Sequence, residues 1–140
     1  MHVSFALFAD AANLSQEGKL NILGVFDAVQ VGQTPAIHPR AHLVVRLKGT
    51  ASDAGTHDMT LRWVNPRGEE LWSSAGKIDI GTPPHDVTEM DLPIIAAVDL
   101  PLDQAGTFTM EVLVDRDEAA TVSLQVRSGA PFMPASNLVS

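Results

Sequence analysis

The sequence is notable first for the residues and motifs that it lacks. Its 140 residues include no cysteine, which excludes disulfide scaffolds, thiolate zinc sites, iron–sulfur clusters and cysteine nucleophiles. There is no internal repeat and no low-complexity segment. No G-x-S-x-G motif or glycine-rich phosphate loop occurs either, so nucleophile-elbow hydrolases and nucleotide-binding folds find no support.

Basic residues are also scarce. Nine Lys and Arg stand against 17 Asp and Glu, giving a formal net charge of −8, and the basic residues are scattered along the chain. Nucleic-acid binding depends on clustered positive charge that displaces counterions, so no nucleic-acid partner is expected. Attraction to anionic membranes is not expected for the same reason.

Long apolar runs are absent. No stretch approaches the roughly 20 residues needed to span a bilayer. The opening "MHVSFALFADAANLS" has no Lys or Arg before its apolar run, and Asp10 interrupts that run early, unlike a secretory signal peptide. Together with the absence of cysteine, these features predict a cytoplasmic protein with no membrane association.

What the sequence does contain is alternation. Apolar residues recur at every second position, and turn residues recur about every dozen residues, which is typical of an all-β protein. Eight strands are predicted, at residues 3–10, 19–31, 42–48, 57–64, 69–80, 92–99, 107–114 and 119–127, the fifth interrupted at Gly76. Eight short strands need two layers to bury their apolar faces, which predicts an antiparallel β-sandwich, immunoglobulin-like or jelly-roll-like. Residues 1–128 form this single domain, and 129–140 an extended C-terminal tail.

Two segments resemble known proteins. "QAGTFTMEVLVD" (104–115) resembles the tyrosine corner of immunoglobulin-like sandwiches, with Phe108 in place of the Tyr and Met110 in place of the Cys. This resemblance supports a sandwich with both side chains near the core, although Phe108 has no hydroxyl for the corner hydrogen bond.

The N-terminal segment carries a more specific resemblance. "FALFADAANLSQEGKLNILGVFD" (5–27), followed by "PAIHP" (35–39) and "LVVRL" (43–47), resembles a family of small bacterial β-sandwich proteins of unknown function. That family shares an A-D-A-A-N … G-K-L-N-I-L-G … F-D pattern. The resemblance implies no activity, because none is attached to the family.

The first hairpin is apolar on both faces, whereas a sandwich strand normally has one apolar and one polar face. Phe8, Leu23 and Val25 are assigned to the second face. Something must cover it, either the 82–92 loop, the C-terminal tail or another chain, because an uncovered apolar patch marks an interaction site. Phe132 and Met133 are too apolar for a tail that stays in solvent, so they are assigned to the candidate interaction face as well. The primary hypothesis is a non-catalytic module for protein interaction or self-association.

The alternative hypothesis is a small-ligand module, with carbohydrate as the ligand class. Exposed aromatic rings in a sandwich form a flat platform for sugars, and Trp63 and Trp72 are the candidates. A tight turn at 65–68 predicts that Leu61 faces Trp72 across the hairpin, with Trp63 on the same side. A strand face that carries Leu61, Trp63 and Trp72 more often packs into the core than forms an exposed sugar platform.

No residue constellation indicates catalysis, a metal or a cofactor. His38 and His42 have i, i+4 spacing, but Pro39 between them excludes a helix, and an extended chain places them about 13 Å apart. The acidic segments "DVTEMD" (86–91) and "DRDE" (115–118) are interpreted as solvated loops. Polar residues of the first hairpin, among them Asn13, Lys19 and Asn21, are interpreted as residues that stabilise the turn rather than as a site. The protein is therefore predicted not to be an enzyme.

Overall fold

The computed structural model of the protein describes residues 1–129, and it confirms an all-β fold. The strands are β1 (His2–Leu14), β2 (Leu20–Phe26), β3 (Ala28–Val31), β4 (Ala36–Gly49), β5 (Gly55–Val64), β6 (Glu70–Ile80), β7 (Met90–Leu102), β8 (Gly106–Val114) and β9 (Asp117–Ser128). A 3-10 turn, Ala51–Asp53, precedes β5. Within the described residues, no helix is long and apolar enough to span a membrane. Residues 130–140, including Phe132 and Met133, lie outside this description.

The strands form two sheets, which confirms the two-layer sandwich. The four-stranded sheet has the order β2-β1-β4-β7, and the five-stranded sheet has the order β3-β9-β8-β5-β6. Neighbouring strands run antiparallel except for the short pair β3–β9, which is parallel. One side of the sandwich therefore ends in the two edge strands β6 and β7.

The core between the sheets follows the alternation in the sequence. In β8, Phe108, Met110, Val112 and Val114 are buried, while the residues between them are half-buried. The expected core positions of Phe108 and Met110 are thus confirmed, and both are fully buried. Phe108 stacks on Trp63 from the neighbouring strand β5, with ring centroids 5.2 Å apart.

Two strand assignments made from the sequence are wrong. The segment predicted as one strand, 19–31, is two strands, β2 and β3, that belong to different sheets. The break falls at Asp27, whose carbonyl accepts a hydrogen bond from the Gln125 amide of the five-stranded sheet. The predicted interruption at Gly76 does not occur, because β6 continues through it in pairing with β5.

The hairpin formed by β1 and β2 folds back over the outer face of the four-stranded sheet. Pairing of β1 with β4 stops at Ala9, whereas pairing with β2 continues to Leu14. If β1 were straight, Leu14 would lie about 40 Å from His2. His2 pairs with Lys48 of β4, which pairs in turn with Asp91 of β7, so a straight β1 would also hold Leu14 far from Asp91. Instead Leu14 lines a cavity together with Asp91. We call residues 10–25 the N-terminal arm.

The N-terminal arm covers part of the outer face of the four-stranded sheet. The second face of the hairpin, for which the 82–92 loop, the tail or another chain was expected as the cover, keeps Leu23 and Val25 exposed. Phe5 lies on the outer face of the sheet, paired with Arg46, and it shares a cavity with Leu20 and Ile22 of the arm. On the same outer face, Val44 is fully buried. The arm reaches this position because the chain bends after Ala9.

Gly24 belongs to the region where the arm leaves the sheet. Its φ of 70° lies in the left-handed region that favours glycine. A Cβ atom at this position would collide with the carboxyl group of Asp10 on the opposing strand. A glycine inside a strand is explained either by a bulge or by the close approach of another segment. At Gly24 the close approach of Asp10 is the explanation.

Candidate functional site

The outer surface of the N-terminal arm exposes two large apolar side chains. Leu23 is 71% exposed and Val25 is 61% exposed. They lie two residues apart on β2, opposite Ala11 and Ala9 of β1, so they share one face. We call Leu23 and Val25 the arm surface.

Phe8 does not belong to this surface, contrary to the assignment from the sequence. It is fully buried, stacks on Phe26 and meets the edge of Trp63, with ring centroids 6.0 Å apart in both pairs. The hairpin register pairs Phe8 with Phe26. Leu23 and Val25 differ from Phe26 by odd numbers of residues, so they lie on the opposite face.

The two tryptophans do not form a sugar platform together. Trp63 is fully buried, and its indole N–H donates to the Pro101 carbonyl at 2.8 Å. Trp72 is half-buried and donates to the Asp99 carbonyl at 3.2 Å. Trp63 offers no exposed ring face, so of the two candidates only Trp72, which is half-buried, leaves ring surface for a sugar.

The predicted register of this hairpin is also wrong. Trp72 faces Trp63, and Leu61 faces Ser74. The difference is two residues. The turn pairs Val64 with Glu70 rather than with Glu69, and a register shift between Trp63 and Val64 displaces every residue beyond it by one more.

The remaining residues singled out in the sequence have local partners. The His38 ring lies against Phe26 with centroids 5.2 Å apart, and His42 Nδ1 lies 3.2 Å from the Arg40 carbonyl. The Asn21 amide donates to the Asn13 side chain at 2.9 Å. In residues 1–129, no group of three or more His, Asp or Glu side chains is placed to hold a metal.

A charged cluster at one end of the sandwich was not predicted. His57 Nδ1 lies 2.5 Å from an Asp115 carboxylate oxygen, and Nε2 lies 2.6 Å from the Asp53 carbonyl. Both partners are acceptors, so both ring nitrogens donate, which only the charged imidazolium does. The hydrogen bond to Asp115, and next that to Asp53, raise the pKa of His57.

The same contact acts on the acidic partner. The hydrogen bond from His57 holds the pKa of Asp115 below its ordinary value. The N-terminal ammonium of Met1 lies 3.2 Å from the Asp53 carboxylate, so the cluster ties the N-terminus, the 3-10 turn and the β8–β9 turn together. No local sequence signal reveals it, because His57 and Asp115 are 58 positions apart.

An apolar cleft opens between the edge strands β6 and β7. Its volume is about 220 Å³, and it is lined by Leu43, Val45, Met59, Leu61, Ser74, Ala75, Gly76, Lys77, Ile78, Ile94 and Ala96. Its floor consists of buried core residues from both sheets, such as Leu43 and Met59. We call this feature the β6–β7 cleft.

Small residues on β6 create the cleft. Ser74 pairs with Leu61 and Gly76 with Met59; since both partners are core residues, Ser74 and Gly76 face the interior. A Cβ atom placed on Gly76 would meet no atom within 4 Å. Gly76 therefore does not break the strand, although the sequence predicts a break; it faces the interior and leaves the gap there.

Comparison with known proteins places the chain in a family. The family of unknown function DUF6941 matches residues 4–127, and the chain belongs to it. This agrees with the family resemblance of the N-terminal segment. A search of curated proteins finds no match.

Two of the solved structures that resemble the chain come from Pseudomonas species. The alkylpurine DNA glycosylase AlkC of Pseudomonas fluorescens, bound to DNA with an abasic site analogue, is 15% identical with a TM-score of 0.36. That match covers 72% of this chain and 28% of the glycosylase, so the chain spans less than a third of the glycosylase's length. An immunoglobulin-like protein from Pseudomonas aeruginosa is 10% identical with a TM-score of 0.35, over 90% of this chain and 95% of that one. Neither likeness assigns a function.

Proposed function

We propose that this protein is a non-catalytic interaction module that self-associates through the arm surface. The observation that carries the proposal is the exposure of Leu23 and Val25, at 71% and 61%, side by side on one face. Large apolar side chains that remain in water side by side favour a partner that removes them from it.

The position of β2 supports the same proposal. It is an edge strand of the four-stranded sheet, and its sequence, LNILGVF, contains no charged residue. Edge strands of proteins that stay monomeric usually carry charges or proline that block pairing with another chain. β2 has neither, so its edge is open to a partner strand.

A second copy of the chain fits this surface by symmetry. Two-fold pairing places the same patch of each chain against the other. Leu23 and Val25 of one chain would then meet Val25 and Leu23 of its partner on either side of Gly24. The tail residues Phe132 and Met133, which the sequence predicts to complete this face, lie outside the described residues.

Sedimentation equilibrium over a range of concentrations tests the proposal. The wild-type protein should show an average mass that rises above the 14.9 kDa of one chain. Leu23→Lys combined with Val25→Lys should return it to that mass while circular dichroism and thermal unfolding stay as in the wild type.

Ile37→Lys is the matched control, because Ile37 is 65% exposed but lies on β4. It should leave the association intact. A wild-type protein that keeps the mass of one chain at every concentration would contradict self-association. Equal effects of the Ile37 and arm variants would show that the association does not use the arm surface.

A further inference from the structure

We propose that the cleft between the N-terminal arm and the four-stranded sheet binds a small aromatic carboxylate, with the carboxylate group at Arg46. We call this feature the arm cleft. It is lined by four apolar residues, Phe5, Leu20, Ile22 and Pro93, and by three charged ones, Lys19, Arg46 and Asp91. The cleft does not include Leu23 and Val25, so the proposal does not depend on the function proposed above.

A row of three side chains across the sheet forms the floor of the arm cleft. Arg46 stands between Val45 and Leu47, which are buried in the core, so the alternation of the strand turns Arg46 to the outer face. Phe5 of β1 pairs with Arg46, and Arg46 pairs in turn with Pro93 of β7. Since neighbouring strands lie about 4.8 Å apart, Arg46 has an apolar ring on each side.

The arm supplies the opposite wall of the cleft. Leu20 and Ile22 lie two residues apart on β2, so they share one face, and both line the cleft. The cleft has a volume of about 360 Å³, and small-molecule sites have volumes of roughly 300–1,000 Å³. Such sites combine apolar walls with a few polar groups that orient the ligand, and the arm cleft has this composition.

Positive charge is in excess where Arg46 meets Asp91. The Arg46 guanidinium donates to Asp91 Oδ2 at 2.6 Å, and Lys48 Nζ lies 2.5 Å from Oδ1, so two cations share one carboxylate. Among residues 1–129, the guanidinium makes this one hydrogen bond, which uses one of its five N–H donors. The Arg46 side chain is 36% exposed, so an anion in the cleft can reach the remaining donors.

The charges select a carboxylate rather than a phosphate as the head group of the ligand. A carboxylate is planar and carries one charge, and it can accept two parallel hydrogen bonds from a guanidinium. A phosphate monoester carries nearly two charges at neutral pH, and Asp91 would repel the second. Arg46, and next Lys48, hold the pKa of Asp91 below its ordinary value, so this repulsion is present at neutral pH.

The floor of the cleft favours an aromatic ring as the body of the ligand. Two aromatic rings in contact gain an electrostatic attraction in addition to the burial of apolar area, and Phe5 offers such a ring beside Arg46. Leu20 and Ile22 would cover the other side of the ligand. An apolar ring that carries a carboxylate therefore matches both the floor and the wall.

Titration with hydrocinnamate, a phenyl ring joined to a carboxylate by two methylene groups, tests the proposal. The methyl resonance of Ile22 should shift and reach saturation at millimolar ligand, because the ring current of the phenyl group acts on nearby methyl groups. Ile37 is the internal control, since it is 65% exposed and lies nine positions from Arg46 on β4. An Ile22 signal that stays, or that moves together with the Ile37 signal, would overturn the proposal.

Arg46→Gln tests the position of the carboxylate, and Lys48 still holds Asp91 in this variant. Binding of hydrocinnamate should weaken by about tenfold, whereas binding of hydrocinnamyl alcohol, which lacks the charge, should change by less than about twofold. Equal effects on the two ligands would overturn the role of Arg46. If the variant does not fold, Arg46→Lys keeps the charge without the planar fork and should weaken hydrocinnamate several-fold.

Arg127→Gln is the matched control for charge. It removes the same charge from the five-stranded sheet, where Arg127 follows the core residue Val126 and faces outward. It should change the binding of hydrocinnamate by less than about twofold. Equal effects of the Arg46 and Arg127 variants would show that the ligand responds to the net charge of the protein, and they would overturn the assignment.

Two further outcomes would identify a different occupant. Phenethyl phosphate should bind no more tightly than hydrocinnamate, and tighter binding would overturn the choice of a carboxylate. An Ile22 signal that shifts with protein concentration in the absence of ligand would show that another copy of the chain fills the arm cleft, and it would overturn the ligand proposal.

Discussion

The two ends of the sandwich are closed by different chemistry. At one end, Trp63 and Trp72 reach from the five-stranded sheet to β7 and donate indole hydrogen bonds to the carbonyls of Pro101 and Asp99. At the other end, His57 is held between Asp115 and the Asp53 carbonyl. The aromatic end combines apolar burial with hydrogen bonds, whereas the charged end depends on protonation.

The β6–β7 cleft lies between these ends on the same edge. The strand β6 supplies Trp72 at the aromatic end and Ser74 and Gly76 next to it, while both sheets continue without interruption. The backbone is therefore the same in the closed and open parts of the edge. The comparison shows that side-chain size on the inner face of one edge strand decides where this sandwich is sealed.

Trp63→Ala should have the largest effect of the changes that test this comparison. Removing a fully buried indole leaves a cavity and also an unpaired Pro101 carbonyl, so the free energy of unfolding should fall by about 3–5 kcal/mol. Urea denaturation measures this loss. A loss below about 1 kcal/mol would mean that the aromatic end does not depend on this ring.

Trp72→Phe should have a smaller effect at the same end. It keeps much of the apolar contact but removes the indole donor to Asp99, which should cost about 0.5–1.5 kcal/mol. The variant also leaves Trp63 as the single fluorophore. Its emission should be blue-shifted and poorly quenched by iodide, and an exposed spectrum would contradict the buried position of Trp63.

The pH dependence of the charged end should be the smallest effect, because the Asp115 side chain is 49% exposed and solvent screens the pair. Folding raises the pKa of His57 above its ordinary 6.5, so the folded state holds this proton more tightly than the unfolded state. The stabilisation is fully present below that value and is lost as pH rises through the raised pKa. It is also lost in acid, as Asp115 becomes protonated.

Thermal unfolding of the wild type and of His57→Gln measures this dependence. Their melting temperatures should differ most near pH 5.5–6 and converge as the pH rises toward 9. The difference between the wild type and Trp63→Ala should stay constant over the same range. A His57→Gln difference that also stays constant would show that His57 contributes packing rather than charge.

Much of the fold could be predicted from local pattern. The alternation in 107–114 and the turn at 65–68 place the strands to within a few residues, since a period of two fixes which side chains share a face. The segment 19–31 was predicted less well. Its alternation continues across Asp27, and nothing local indicates that the chain changes sheets there.

The candidate sites could not be predicted from single strands, because each of them depends on how two or more strands lie next to one another. Alternation by itself determined that Leu23 and Val25 share a face, but only the hairpin register placed Phe8 on the other side, opposite Phe26. In the same way, the small size of Ser74 and Gly76 was visible, while the gap required β7 to lie across from them. His57 meets Asp115 only because β8 returns beside β5. Local sequence sets the period of a strand, but which distant strands lie together is set by the burial of all their apolar faces at once.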